Sequence, residues 1–390
     1  SKEEPEEVLI DAKSENARAN ALIDLDLDKL DRFDVRVQDV AKVVGDGRIL
    51  NLTFLNNPQP ILISASSSGQ LSIWNTQTQR ESSLKSTKVC GITIQAHDRG
   101  ITTVKPHPIE PSKVFTSSYD GSVRVLDLSL SQIMDIVADP STRTSSIGKS
   151  ADSYSFTSLD LIAKSAGNHI AVSDSYGRLI FTDLRTNALN SSAIVEGNKK
   201  INTVVCNPMN ENMIATSDRD ARIALYDIRH LKKSMLEHSL NRVQTHIQWS
   251  PSGRNLVSIG YDDRIHVWNG ILNGKNRSNF IPNHSIAHNN QTGRWLTPFK
   301  LCFLPTSMNS SQEYFLLPSL KRTLQLFSVQ STNESKQNPL ELIWERGGYD
   351  HTAVTAVMSI NSVYSYGECN TKNLMFASGV ASGRCYIWRY

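Results

Sequence analysis

The sequence predicts an all-β chain built from one unit used seven times. Two observations predict it. A segment of alternating apolar residues, ending in an aromatic or apolar residue and then Asp or Asn, recurs along the chain. It reads GQLSIWN (69–75), GSVRVLD (121–127), GRLIFTD (177–183), ARIALYD (221–227) and DRIHVWN (263–269), with weaker copies RTLQLFS (322–328) and GRCYIWR (383–389). The copies stand 42 to 61 residues apart, and their period of two is that of a half-buried strand rather than a helix.

Upstream of most copies lies another short apolar strand: ILISAS (61–66), KVFTSS (113–118), HIAVSD (169–174), MIATSD (213–218), NLVSIG (255–260) and LMFASG (374–379). A tight turn such as Tyr119-Asp120-Gly121 joins the two, with glycine where other residues avoid the required backbone conformation. Before this pair comes a further strand, as in GITTVKPHP (100–108), INTVVCNP (201–208) and VQTHIQWSP (243–251), each stopped by a proline that cannot continue a ladder. Strand, strand, tight turn, strand at this period, closed by Trp-Asn or Tyr-Asp, resembles the WD-repeat family of β-propellers. The resemblance implies a seven-bladed WD-repeat β-propeller over residues 33–390. The last copy ends the chain, so VRVQDVAKVV (35–44) is expected to supply the outer strand of the final blade and close the ring, covering an edge otherwise open to pairing. Residues 1–32 read as a separate acidic segment, in which ENARANALIDLDLDKL (15–30) is either a short helix or a solvated leader. ADPSTRTSSIGKSADS (138–153) reads as a surface loop.

Composition is that of a globular chain, with 39% hydrophobic and 20% charged residues in 390. No apolar run approaches the ~18 residues of a membrane-spanning helix, and no charged, apolar and small-residue leader is present. No membrane partner is expected. Ser1 in place of Met suggests a fragment or a processed chain. Cys90, Cys206, Cys302, Cys369 and Cys385 are scattered, without C-x-x-C spacing; buried free thiols in a reducing compartment are expected, not a metal site or a disulfide framework. The net charge of +3 conceals an asymmetry: residues 1–47 hold 13 acidic and 7 basic residues, so the remainder is net basic. A basic body favours an anionic partner.

Catalytic signatures are missing from the sequence: no phosphate-cradling P-loop, no nucleophile elbow, no H-E-x-x-H. His97, in AHDRGITTV, falls where WD repeats keep a structural histidine. Neither enzyme activity nor a cofactor is expected, and function is sought on the surface. In a propeller, the loops leading into each first strand and the tight turns between second and third strands share one rim. That rule gathers Arg99, Lys199, Lys200, Arg242 and Lys300 with Tyr119, Tyr176, Arg219, Tyr261 and Lys321. Cations neutralise phosphates and aromatic rings stack on bases, so the set suits nucleic acid. Asp120, Asp218 and Asp262 share the rim and compete for those cations.

Two segments sharpen the resemblance. NKKINTVVCNPMNENMIATSDRDARIALYDIRHL (198–231) and IPNHSIAHNNQTGRWLTPFK (281–300) resemble the WD-repeat proteins that include the small subunit of the UV-damaged-DNA-binding heterodimer and its fungal relatives. The family's Leu-Thr-Pro matches Leu296-Thr297-Pro298, which puts its duplex-wedging hairpin on Gly293, Arg294 and Trp295 and its phosphate-facing basic run on Lys199 and Lys200. This chain has Gly-Arg-Trp where the family has Phe-Gln-His. The resemblance implies binding to duplex and single-stranded DNA, a preference for damaged or distorted sites, and a role in DNA damage response or DNA metabolism. The ligand implies residence in the nucleus, with the cytoplasm as a second location. Asp183-Leu184-Arg185 and Asp227-Ile228-Arg229 resemble a docking box for the adaptor of a cullin ubiquitin ligase. A local Asp–Arg brace is the other reading of Arg185 and Arg229. The alternative function is an interaction scaffold or ubiquitin-ligase substrate receptor without intrinsic DNA affinity, with chromatin proteins as further partners. A monomer is expected.

Overall fold

A computed structural model describes residues 33, 35, 40–42, 47–55, 60–76, 90–138, 154–185, 188–194, 199–271, 280–293, 296–305, 310–330, 339–347, 355–361 and 375–389. The expected helix or leader over 15–30 and all but the first residue of the 138–153 loop lie outside these residues.

Strands make up the described elements. After β1 (Val40–Lys42), they pair in antiparallel sheets along the chain. The first comprises β2 (Ile49–Phe54), β3 (Ile61–Ser66), β4 (Gln70–Asn75) and β5 (Cys90–Gln95). Next come β6 (Ile101–Pro106), β7 (Lys113–Ser118), β8 (Ser122–Asp127) and β9 (Gln132–Ala138), then β10 (Phe156–Leu161), β11 (His169–Asp174), β12 (Arg178–Asp183) and β13 (Ala188–Ile194). The fourth sheet holds β14 (Ile201–Cys206), β15 (Met213–Asp218), β16 (Arg222–Asp227) and β17 (Leu236–Ser239). The fifth holds β18 (Gln244–Trp249), β19 (Asn255–Gly260), β20 (Arg264–Asn269) and β21 (His284–Ala287). The sixth holds β22 (Cys302–Phe303), β23 (Gln312–Pro318), β24 (Thr323–Gln330) and β25 (Leu340–Gly347). In the last, β26 (Thr355–Asn361), β27 (Met375–Val380) and β28 (Arg384–Arg389) are joined by β1, which lies antiparallel to β28 with Val40 opposite Tyr386 and Lys42 opposite Arg384. Among the described residues these are seven four-stranded sheets.

Apolar residues of neighbouring sheets pack face to face and carry the sheets round a common axis. Leu55, Ile63 and Leu71 meet Ile101, Val104 and Val114. Phe115 and Val125 meet Phe156 and Ile170, and Leu179 and Phe181 meet Ile201 and Val204. Val205 and Ile223 meet Ile247 and Leu256. One further cluster runs from Val257 and Ile265 through Phe303 and Phe315 to Ala377 and Ile387 and on to Ile49 and Leu52, which returns the packing to its start. Phe33 adds to the seam, stacked on Phe376 at 4.6 Å. The result is an all-β propeller, in which contact between successive sheets replaces a single central core.

Two local features repeat. The turn between second and third strands takes a left-handed residue at one position: Gly69, Gly121, Gly177 and Gly383, but also Ala221, Asp263 and Arg322, with φ between 57° and 84°. Glycine adopts this conformation freely and the others at a cost. The second feature is a bulge at the start of the first strands, which leaves Leu50, Thr102, Thr157, Asn202 and Thr245 outside the register of their ladders. All five line a channel of about 720 Å³ whose walls come from the first strands of six sheets. Cys206 and Cys385 are buried and Cys302 half-buried, all as free thiols, and burial pushes the Cys385 thiol up to about 12.

Candidate nucleic-acid interface

One repeated hydrogen bond builds the rim. The residue after a second strand donates its backbone N–H to the carbonyl of the residue before the first strand of the same sheet. Ser67 donates to Arg48, Tyr119 to Gly100, Ser175 to Ser155, Arg219 to Lys200 and Tyr261 to Val243, at 2.9–3.0 Å. Each tight turn is thereby fixed beside the loop that leads into its own sheet. Arg99, Lys200, Arg219 and Arg242 are carried to one face by this register, with Tyr119 and Tyr261 among them. Arg99, Arg219 and Arg242 are exposed. Lys200 is half-buried, and its Nζ stands 5.7 Å from the centre of the Tyr119 ring, although a whole sheet lies between their two sheets in chain order. Burial and the neighbouring Arg219 charge lower the Lys200 pKa.

The aspartates that share the rim are engaged inside it. Asp120 accepts from His97 Nδ1 at 2.9 Å and from the backbone and hydroxyl of Ser122. His97 Nε2 lies 2.8 Å from the Thr116 hydroxyl, so this histidine ties its loop to the next sheet. Asp218 pairs with Arg222 at 2.9 Å and Asp262 with His266 at 2.6 Å. None of these three pairs uses a rim cation named from the sequence. Lys199 does have an acidic partner, Asp220 at 2.8 Å, with both side chains about half exposed. Tyr176 packs on Tyr154 at 5.8 Å, with the Arg178 guanidinium 4.8 Å from the Tyr154 ring, while Lys321 is exposed.

The segment before β22 is anchored on both sides of residues 294–295. At one end, Asn290 N–H donates to the Asp263 carboxylate and Gln291 Nε2 to the Tyr261 carbonyl at 2.9 Å, which fastens it to the rim of the fifth sheet. At the other, the Thr297 hydroxyl donates to the Ile49 carbonyl of the first sheet at 3.0 Å. Thr292 and Thr297 are buried, whereas Gly293 is exposed, left-handed at φ 71° and has open space where a Cβ would stand. Arg294 and Trp295 lie outside the described residues.

Lys300 is a correction. Its position before a first strand assigns it to the rim, but its ammonium reaches into the channel and donates to the Thr102 carbonyl at 3.0 Å. The bulge at Thr102 interrupts the ladder there, and the first strand that follows Lys300 is only two residues long. Burial and the charge of Lys105 bring the Lys300 pKa down to about 8.

At the opposite corners, Arg185 holds both oxygens of Asp183 at 3.1 and 2.9 Å, and Arg229 holds those of Asp227 at 2.9 and 2.6 Å. Both guanidinium groups stay largely exposed. The Arg229 hydrogen bonds lower Asp227 to about 2.

Three basic residues escaped the sequence reading. Arg48 precedes β2 as Arg99 precedes β6, but the first complete repeat motif begins at Gly69, so the strand before it was not aligned with the others. Lys105 and His246 line the channel from β6 and β18. Their signal was polarity inside otherwise apolar first strands. Among the described residues no group of His, Cys, Asp or Glu is arranged to hold a metal ion.

Comparison with known proteins bears on the same segments. The family described as WD domain, G-beta repeat matches residues 88–127 and 230–269. Fungal proteins named DNA damage-binding protein CMR1 are similar to the chain: that of Chaetomium globosum is 25% identical over 75% of this chain, that of Aspergillus oryzae 24% over 87%, and that of Scheffersomyces stipitis 26% over 68%. The chain spans 53%, 64% and 53% of those relatives' own lengths. The repeated strand motif, the two matched repeats and the sheets packed round one axis give one conclusion: the chain is a β-propeller that carries WD repeats.

Proposed function

We propose that the chain binds DNA through this rim and prefers damaged or distorted sites, acting in DNA damage response or DNA metabolism. The observation that carries the reading is the repeated turn-to-loop hydrogen bond, which gathers Arg99, Lys200, Arg219 and Arg242 on one face while Asp120, Asp218 and Asp262 are satisfied elsewhere. The names of the fungal relatives support the same ligand. Lys199 is a weaker contributor, because Asp220 already neutralises it. Trp295 and Arg294 serve as the wedge, on a segment anchored at Gln291 and Thr297. Prying open an intact base step costs a few kcal/mol, about a few per step, and stacking one base on an aromatic ring returns about 1–3 kcal/mol. One indole therefore roughly breaks even on intact duplex and gains where stacking is already lost.

This reading takes the seven sheets as the blades of a closed ring over residues 33–390, with residues 1–32 outside it, no catalytic role, and nuclear residence. The test is a gel-shift with intact and UV-irradiated duplex. Lys200→Glu/Arg219→Glu should weaken both by at least tenfold, and Trp295→Ala should weaken the irradiated duplex more than the intact one. Unchanged binding in the double variant would remove the rim from the account. Equal losses for Trp295→Ala would remove the wedge alone.

A second reading, docking of a ubiquitin-ligase adaptor, draws on the exposed guanidinium groups of Arg185 and Arg229. Binding of a purified adaptor that is lost in Arg185→Ala/Arg229→Ala would support it, whereas equal binding would assign both pairs to bracing the corners.

A further inference from the structure

The channel below the rim has a chemistry of its own. Five lysine and arginine side chains line it, Arg48, Arg99, Lys105, Lys200 and Lys300, and no Asp or Glu lines it among the described residues. Lys105 carries its own counter-charge, since its Nζ stands 3.0 Å from Asp160, which also accepts the Cys206 N–H. Among the described residues Lys300 pairs with no carboxylate: it donates to the Thr102 carbonyl, a neutral acceptor, and the charge that acts on it is that of another cation, Lys105. Lys300 is half-buried; an ammonium drawn partly out of water without an opposing charge is costly, and a cleft that holds one is a candidate binding site.

We propose that this channel binds a small, multiply charged anion of phosphate type, with Lys300 as its deep ligand and Lys200, Arg48 and Arg99 completing the positive surround. A volume of about 720 Å³ admits such an anion together with part of its water. The bulges help. They take Thr102, Thr157, Asn202 and Thr245 out of the register of their ladders; the side chains of these residues bond back into the sheets, and the Thr102 carbonyl accepts from Lys300. His246 lies on the same wall and is held neutral, its pKa brought down to about 3 by burial and by Lys300 and Lys105, so the lysines and arginines supply the charge. This site does not depend on the rim's binding DNA.

Calorimetric titration of the full chain with inorganic pyrophosphate tests it. One equivalent should bind. Lys300→Met should weaken binding at least tenfold, while Lys300→Arg stays within about threefold of the parent protein. Lys300→Gln retains a donor for the Thr102 carbonyl and is the second neutral variant should the methionine fail to fold. Duplex affinity, measured alongside, should change less than twofold in the neutral variants. No saturable binding by the parent protein, or equal affinity in a neutral variant, would overturn the proposal. So would parallel losses of pyrophosphate and duplex binding, which would make the channel part of the DNA site.

Discussion

Single residues behave here according to what surrounds them rather than where they fall in the repeat. Arg99, Lys200, Arg219 and Arg242 were legible in the sequence because a rule about position, before a first strand or in a tight turn, translates directly into a rim placement when the backbone hydrogen bond is made. Lys300 obeys the same positional rule and ends elsewhere, because its ammonium turns to the Thr102 carbonyl at the bulge of β6. Its enclosure has a thermodynamic signature. The folded-state pKa, about 8, lies below the 10.5 of an ordinary lysine, so the unfolded chain binds more protons between those values. Stability carried by this group therefore rises with pH across that window, and the cost of the buried charge is present in full below it. Lys105 and His246 line the same channel and Asp160 pairs with Lys105, but all three are common to the parent protein and Lys300→Met. The thermal midpoint of Lys300→Met relative to the parent should accordingly fall as pH increases from 7.5 to 10; a constant difference would mean that Lys300 holds its proton equally well in the folded and unfolded chain, so that the channel does not disfavour its charge.

At the scale of the element, the tight turns show how much a motif reveals and where it stops. Gly69, Gly121, Gly177 and Gly383 announce a left-handed residue, whereas Ala221, Asp263 and Arg322 adopt the same conformation without announcing it. Three turns were therefore readable only from the strands around them. The glycines are not interchangeable with the others. A Cβ on Gly69 would collide with the His97 carbonyl oxygen, and the Gly69 carbonyl accepts from both Ala96 and His97 N–H groups. Gly69→Ala should cost about 2 kcal/mol or more in denaturant unfolding, combining the conformational and steric penalties. A loss below 0.5 kcal/mol, in the range of a neutral surface change, would show that the turn relaxes freely (roughly ±0.5 is typical of such changes). The segment before β22 marks the other limit. The sequence placed it on the rim, and its anchors at Tyr261, Asp263 and Ile49 lie there, but those partners are remote in the chain and no local pattern encodes them.

The whole molecule owes its candidate surface to the circular packing of its sheets. Neighbouring sheets share apolar clusters that return from the last strands to Ile49 and Leu52, and β1 lies against β28. That arrangement brings together cations separated by more than a hundred residues, from Arg99 to Arg242. The alternating strands made this architecture visible in the sequence, since a period of two and a fixed spacing survive wide variation in side chains. The channel was not visible, because its charge is contributed one residue at a time by first strands that otherwise read as apolar. Binding of a phosphate backbone by such a rim is ionic and should weaken as salt displaces it. The most direct measurement is the affinity for intact duplex across a range of salt concentrations, for the parent protein and for Lys200→Glu/Arg219→Glu. With about five phosphate contacts, log affinity against log salt should have a slope of roughly −4 to −5, shallower by about 2 in the variant. An affinity independent of salt, or one slope shared by both proteins, would contradict the assignment of DNA to this face.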